Sequence, residues 1–133
     1  DSRIVKSAGQ IPTIIATCST DSDRKSLYEN AGCEVIITKE SEHHVDLKEL
    51  MNILGEKGID SVILEGGGTL NFSALQAGIV NRVQTYIAPK IFGGADSKTA
   101  VEGQGIANVD EAYQLRNKTV RLFGDDILIE GEL

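Results

Sequence analysis

DSVILEGGGTLNFSAL, residues 60 to 75, is the stretch on which the reading of the fold turns. An apolar run, Val62-Ile63-Leu64, ends in Glu65 and three consecutive glycines, Gly66, Gly67 and Gly68. A segment with helical spacing follows at once. Strand, glycine turn and helix start, in that order, gather backbone N–H groups at a helix N-terminus, which suits a phosphate. Glycine tolerates the positive φ that a sharp turn can demand, and its missing side chain lets a pyrophosphate approach the backbone. The unpaired N–H groups expected here run from about Thr69 through Leu70 and Asn71 to Phe72, with Thr69 and Ser73 adding hydroxyl donors. The same glycines also fit a tight turn with no ligand. The pattern is GGGTLN rather than GxGxxG, and no acidic residue about 20 positions on is placed to read a ribose. Glu65 stands at the carboxyl end of the expected strand, where open α/β sheets bind ligands. It can accept hydrogen bonds from a substrate or from the turn itself.

Outward from this centre the chain alternates. Thr13 to Cys18 and Cys33 to Thr38 are β-rich runs. Between them Arg24 to Ala31 has helical character, preceded by capping residues at 19–23 and stopped by Gly32. Lys39 to Val45 reads as a polar loop, and residues 1–10 show no clear period. Asp46 can cap a helix carrying Leu47, Leu50, Met51 and Leu54. After Gly78, residues Arg82 to Pro89 alternate with period two, Val83, Thr85 and Ile87 facing one way. A glycine-rich loop runs from Lys90 to Gly105. Val120 to Phe123 and Ile127 to Glu132 flank Gly124-Asp125-Asp126, a β-hairpin signal. The expected fold is α/β: a mostly parallel central sheet between helical layers, with strands such as Ser61 to Leu64 at its heart and an antiparallel C-terminal hairpin.

The 133 residues suffice for one domain with a core. A net charge of −7 argues against a nucleic-acid surface, though a few amides and one or two cations can still hold a dinucleotide. No apolar run approaches the roughly 20 residues that span a bilayer, and no signal-peptide pattern is present. Cys18 and Cys33 make no disulfide framework, which points to a reduced, cytoplasmic compartment. They read as buried small hydrophobes. The adjacent His43 and His44 make a poor metal pair, and no metal site is expected. Lys90 can reach a substrate phosphate as a point charge or simply face solvent.

LEGGGTLNFSAL (64–75), VNRVQTYIAPKIFGG (80–94), the closing GDDILIEGEL (124–133) and the opening DSRIVKS (1–7) resemble the reductase domain of the bacterial bifunctional riboflavin biosynthesis deaminase/reductase. The resemblance spans nearly the whole of residues 1–133. It implies the three-layer fold of dihydrofolate reductase and the NADPH-dependent reduction of 5-amino-6-(5-phosphoribosylamino)uracil to its ribitylamino form. It further implies that Gly66, Gly67, Gly68, Thr69, Leu70, Asn71, Phe72 and Ser73 line the cofactor, that Ser2 contacts it, and that Glu65 touches substrate. Thr17, at the end of the first clear strand, is a geometric candidate for the adenosine 2′-phosphate side. Related domains form homodimers through the C-terminal region, so a dimer is expected. The family domain begins upstream of Asp1, and the zinc-deaminase motifs HxE and PCxxC are absent here. The chain is therefore expected to be the later portion of a reductase domain, with little or no turnover alone. No general acid or nucleophile is assigned, because hydride transfer relies on positioning. Two other readings fit: a pterin-type reductase on the same fold, and a nucleotide- or phosphate-binding or assembly module without chemistry.

Overall fold

A computed structural model describes residues 2–94 and 96–133. Asp1, which opens the DSRIVKS segment, and Ala95, within the glycine-rich loop, lie outside the described residues. The chain forms two compact units, Asp1–Val62 and Ile63–Leu133.

In the first unit, α1 (Arg3–Ser7) leads to β1 (Ile14–Thr17), α2 (Ser22–Asn30) and β2 (Glu34–Ile37). The strands β1 and β2 pair in parallel, Ile14 opposite Glu34 and Thr17 opposite Ile37, with α2 as the crossover that parallel strands require. Asp21 starts α2 by accepting the N–H groups of Asp23 and Arg24, each at 3.0 Å. Gly32, at φ +92°, turns the chain out of the helix, and a Cβ there would lie 3.1 Å from the Gly9 nitrogen. α1 spans only five residues, too few for a hydrophobic period to show, and so it escapes a periodicity reading.

The segment expected to be a polar loop contains a small hairpin, β3 (Glu40–Ser41) with β4 (His44–Val45). Its turn residues Glu42 and His43 both have positive φ. That is the I′ pattern, which sequence normally announces with Asn or Gly. Asp46 caps α3 (Leu47–Glu56) through the Glu49 N–H at 3.0 Å. Glu49 in turn accepts the Lys39 N–H at 2.6 Å, tying the helix start to the chain ahead of β3. Ala8, Cys33, Ile36 and Thr38 are buried in this unit. The two cysteines are unpaired, Cys33 buried and Cys18 half-buried.

Ser61 to Leu64, expected as a central strand, joins no ladder among the described residues. Val62, Ile63 and Leu64 are exposed. An apolar run gives a strand its faces, but its backbone hydrogen bonds must come from a neighbour. Parallel pairing is accordingly confined to β1 and β2, and the expected mostly parallel central sheet is not seen among the described residues. The architecture is mixed α/β, and its larger sheet is antiparallel.

That sheet belongs to the second unit. After α4 (Gly68–Gln76), the strands β5 (Arg82–Ile87), β6 (Arg116–Phe123) and β7 (Asp126–Glu132) assemble in the order β5-β7-β6. The expected hairpin is present: Phe123 pairs with Asp126 across a two-residue loop, Gly124-Asp125, with φ +63° at Gly124. A bulge falls between Arg116 and Thr119, where Asn117 takes φ +49° and donates to Glu132 at 2.8 Å. Cross-strand rows Thr85–Ile129–Val120 and Ile87–Ile127–Leu122 share one face. The opposite face carries Leu128, 1% exposed, and a charged row in which Glu130 meets Gln84, Arg82 and Arg121.

Candidate functional site

The glycine turn enters α4 with Gly67 as N-cap, at φ −64° and ψ 166° and with no side-chain cap. Without a capping side chain, the first helical N–H groups stay open. Asn71 N–H donates to the Gly67 carbonyl at 3.1 Å, so the intrahelical ladder starts there. Among the described residues, the N–H groups of Gly68, Thr69 and Leu70 meet no protein acceptor. The open set is thus Gly68 to Leu70, rather than the expected Thr69 to Phe72, because Asn71 and Phe72 already lie inside the ladder.

The three glycines do not serve the positive φ expected of them: none of Gly66, Gly67 and Gly68 has one. They serve close approach. A Cβ on Gly66 would fall 2.5 Å from Leu70 Cδ2, and one on Gly68 would fall 2.6 Å from Glu102 Cγ. On Gly67 it would meet nothing within 4 Å. One glycine packs under its own helix, one against the loop, and the middle one faces open space beside three unpartnered amides.

The side chains divide similarly. Leu70 is exposed and lies over Gly66, while Phe72 is buried in the unit. The Ser73 hydroxyl donates to the Thr69 carbonyl at 3.0 Å, which turns it into the helix and away from any ligand over the turn. Thr69 is exposed. Asn71 Nδ2 donates to the Ala100 carbonyl at 2.8 Å, while its Oδ1 is buried without a donor. Glu65 is exposed and takes no hydrogen bond from the turn among the described residues.

Ser2 and Thr17 lie in the first unit. The Ser2 hydroxyl caps α1, accepting the Val5 N–H at 3.4 Å. Thr17 Oγ1 accepts the Ser19 N–H at 3.0 Å where β1 ends. Both hydroxyls keep a proton to donate. Lys90 is exposed. His43 sits against Glu40 at 3.0 Å, and no cluster of metal-ligating side chains occurs among the described residues.

Sequence reading missed Glu102. It lies in the glycine-rich loop, and nothing local in VEGQG indicates that this acid reaches Gly68, 34 positions earlier. Nearby, Phe72, Leu75, Val101, Ile106 and Tyr113 line a cleft of about 300 Å³.

The family model described as the RibD C-terminal domain matches residues 1–129. The chain belongs to the RibD C-terminal domain family. Among relatives of this family member, the riboflavin biosynthesis protein RibD of Actinobacillus pleuropneumoniae is 45% identical over 130 residues, 98% of this chain and 35% of the relative. The 2,5-diamino-6-ribosylamino-4(3H)-pyrimidinone 5′-phosphate reductase of Methanothermobacter thermautotrophicus is 35% identical over 121 residues, 91% of this chain and 55% of that protein. The chain therefore spans about a third to a half of the relatives it matches. A pyrimidine reductase-like protein from Corynebacterium diphtheriae superposes with a TM-score of 0.62 at 22% identity, over 90% of this chain and 48% of that one. This likeness bears on fold alone. The family assignment agrees with the resemblance carried by LEGGGTLNFSAL and APKIFGG.

Proposed function

We propose that residues 1–133 are the later part of a single NADPH-dependent reductase domain that converts 5-amino-6-(5-phosphoribosylamino)uracil to its ribitylamino form in riboflavin biosynthesis. Membership of the RibD C-terminal domain family supports this reading over the module without chemistry. One feature of the fold carries the cofactor assignment: the Gly68, Thr69 and Leu70 amides, unpartnered among the described residues, open beside the bare Gly67. Such a helix start holds a diphosphate through N–H donation and the positive end of the helix dipole.

When bound, the reduced nicotinamide supplies the hydride for the opened ribose. The chain's part is to hold and orient. The bare Gly67 and the Gly68, Thr69 and Leu70 amides would cradle the diphosphate side, Glu65 would accept hydrogen bonds from substrate, and Ser2 and Thr17 would offer hydroxyls to the cofactor. The architecture of the complete domain would be the dihydrofolate reductase-like three-layer fold. We further assign the apolar sheet face to a homodimer and the free thiols to a cytoplasmic setting. No described helix is long and apolar enough to cross a membrane.

Titration of the chain with NADPH tests the reading. Binding that Gly67→Val weakens severalfold is the expected result, because the valine side chain enters the open space over the turn, where a Cβ meets nothing within 4 Å. Binding of phosphate sugars with indifference to NADPH would favour the module instead.

A further inference from the structure

β6 lies at an edge of its sheet. It pairs with β7 on one side, and no ladder forms on its other side among the described residues. All eight of its residues, Arg116 to Phe123, are exposed. A free edge of this length is a template for a further strand. Two features of β6 work against that use. The first is the bulge. Arg116 stands opposite Glu132 and Thr119 opposite Glu130, so Asn117 and Lys118 together oppose Gly131 alone. Asn117 holds the left-handed conformation at φ +49°, which asparagine reaches more readily than most residues, and its Nδ2 is tied to Glu132 at 2.8 Å. Gly131 lets the bulged strand close in, since a Cβ there would meet the Arg116 carbonyl oxygen at 3.0 Å. The extra residue throws the outward N–H and C=O groups out of step with a regular strand and increases the local twist. The second feature is charge. RNKTVRLF holds Arg116, Lys118 and Arg121 and no acid, so two copies of β6 laid edge to edge set like charges against each other.

We propose that the Arg116–Thr119 bulge is a stop for strand addition, which keeps the free edge of β6 from pairing with the same edge of a second copy. A regular β6 would avoid both the broken ladder and a positive φ at a residue other than glycine. What the bulge gains in exchange is an edge that does not propagate. The stop acts at the edge of the sheet, so it is separate from any contact on the apolar face and from the cofactor reading.

The test compares wild type, a chain lacking Asn117, Asn117→Gly and Lys118→Thr by sedimentation velocity at low and high salt, with urea unfolding as the check on fold. Deleting Asn117 sets Lys118 opposite Gly131, keeps Arg116 opposite Glu132 and removes no charge. The deletion chain should reach about twice the wild-type mass at high salt, where the like charges are screened, and less at low salt. Amide exchange along Thr119 to Phe123 should slow as the mass rises. Asn117→Gly keeps the positive φ and Lys118→Thr keeps the bulge, so both should sediment with wild type. A folded deletion chain with the wild-type mass at both salts would overturn the stop. A rise in mass with unchanged exchange along β6 would place the assembly on another surface and overturn it too. Equal assembly by Asn117→Gly or Lys118→Thr would do the same. If the deletion chain does not fold, Asn117→Val takes its place, because a β-branched residue resists positive φ and draws the strand toward the regular form. Unfolding of both would make the bulge a requirement of the sheet itself and overturn the proposal.

Discussion

At the scale of single residues, glycines at 66, 67, 68 and 131 have different reasons to be glycine. Gly131 is buried on β7, and a Cβ there would lie 2.9 Å from Leu115 Cβ and 3.0 Å from the Arg116 carbonyl oxygen. A side-chain stem and a backbone oxygen cannot both withdraw, so Gly131→Ala should destabilise the chain by about 1–3 kcal/mol, read from the urea midpoint. Gly67 sits in open space at a φ any residue adopts. Gly67→Val should cost stability only about 1 kcal/mol, as a poorer N-cap, while its effect on NADPH affinity is larger. A variant that lost fold and binding in step would undo that separation. The GGG motif was legible in the sequence as a tight turn into a helix. Which glycine packs against which neighbour was not, because Glu102 reaches Gly68 only through the path of the chain across 34 positions, past α4 and β5.

At the scale of elements, legibility follows the range of the interactions that build each one. α2 and α3 were readable because Asp21 and Asp46 act within three residues, accepting N–H groups at 3.0 Å. The hairpin of β6 and β7 was readable because glycine at 124 supplies the turn directly. Ser61 to Leu64 was misread as a sheet strand because local composition says nothing about a partner. The β3–β4 hairpin was missed because Glu42 and His43 are poor announcers of positive φ. Asp46→Ala should lower stability by about 1 kcal/mol. A further loss is expected from Glu49→Ala, since Glu49 both bonds the Lys39 N–H and sits in the first turn of α3. The two residues share one helix start, so their effects should not add. Additive losses in a double-mutant cycle would separate the cap from the Lys39 tie.

At the scale of the whole molecule, the question is what covers its exposed apolar surface. On the sheet of the second unit, the rows Thr85–Ile129–Val120 and Ile87–Ile127–Leu122 make one face almost entirely apolar, while charges gather on the other. Val120 is 69% exposed and Leu122 77%. A contiguous patch of this kind marks an interaction surface, and burying such side chains is worth about 1.5–3 kcal/mol each. A second copy of the chain is a fitting occupant, since a two-fold contact lets one apolar face cover its like. Sedimentation equilibrium at micromolar concentration should therefore return a dimer. Leu122→Lys should shift it to monomer, because a lysine in the middle of the interface faces its own symmetry mate or buries its charge against isoleucine. Charge alone is controlled by Thr119→Lys, which adds the same single positive charge on the opposite face, in register with Glu130, and should leave the dimer intact. A wild-type chain that sediments as a monomer throughout would assign the face to a different occupant. Since the matched segments make up only 35% and 55% of two relatives in the family, the first alternative to test is a further segment of such a longer protein, added in trans.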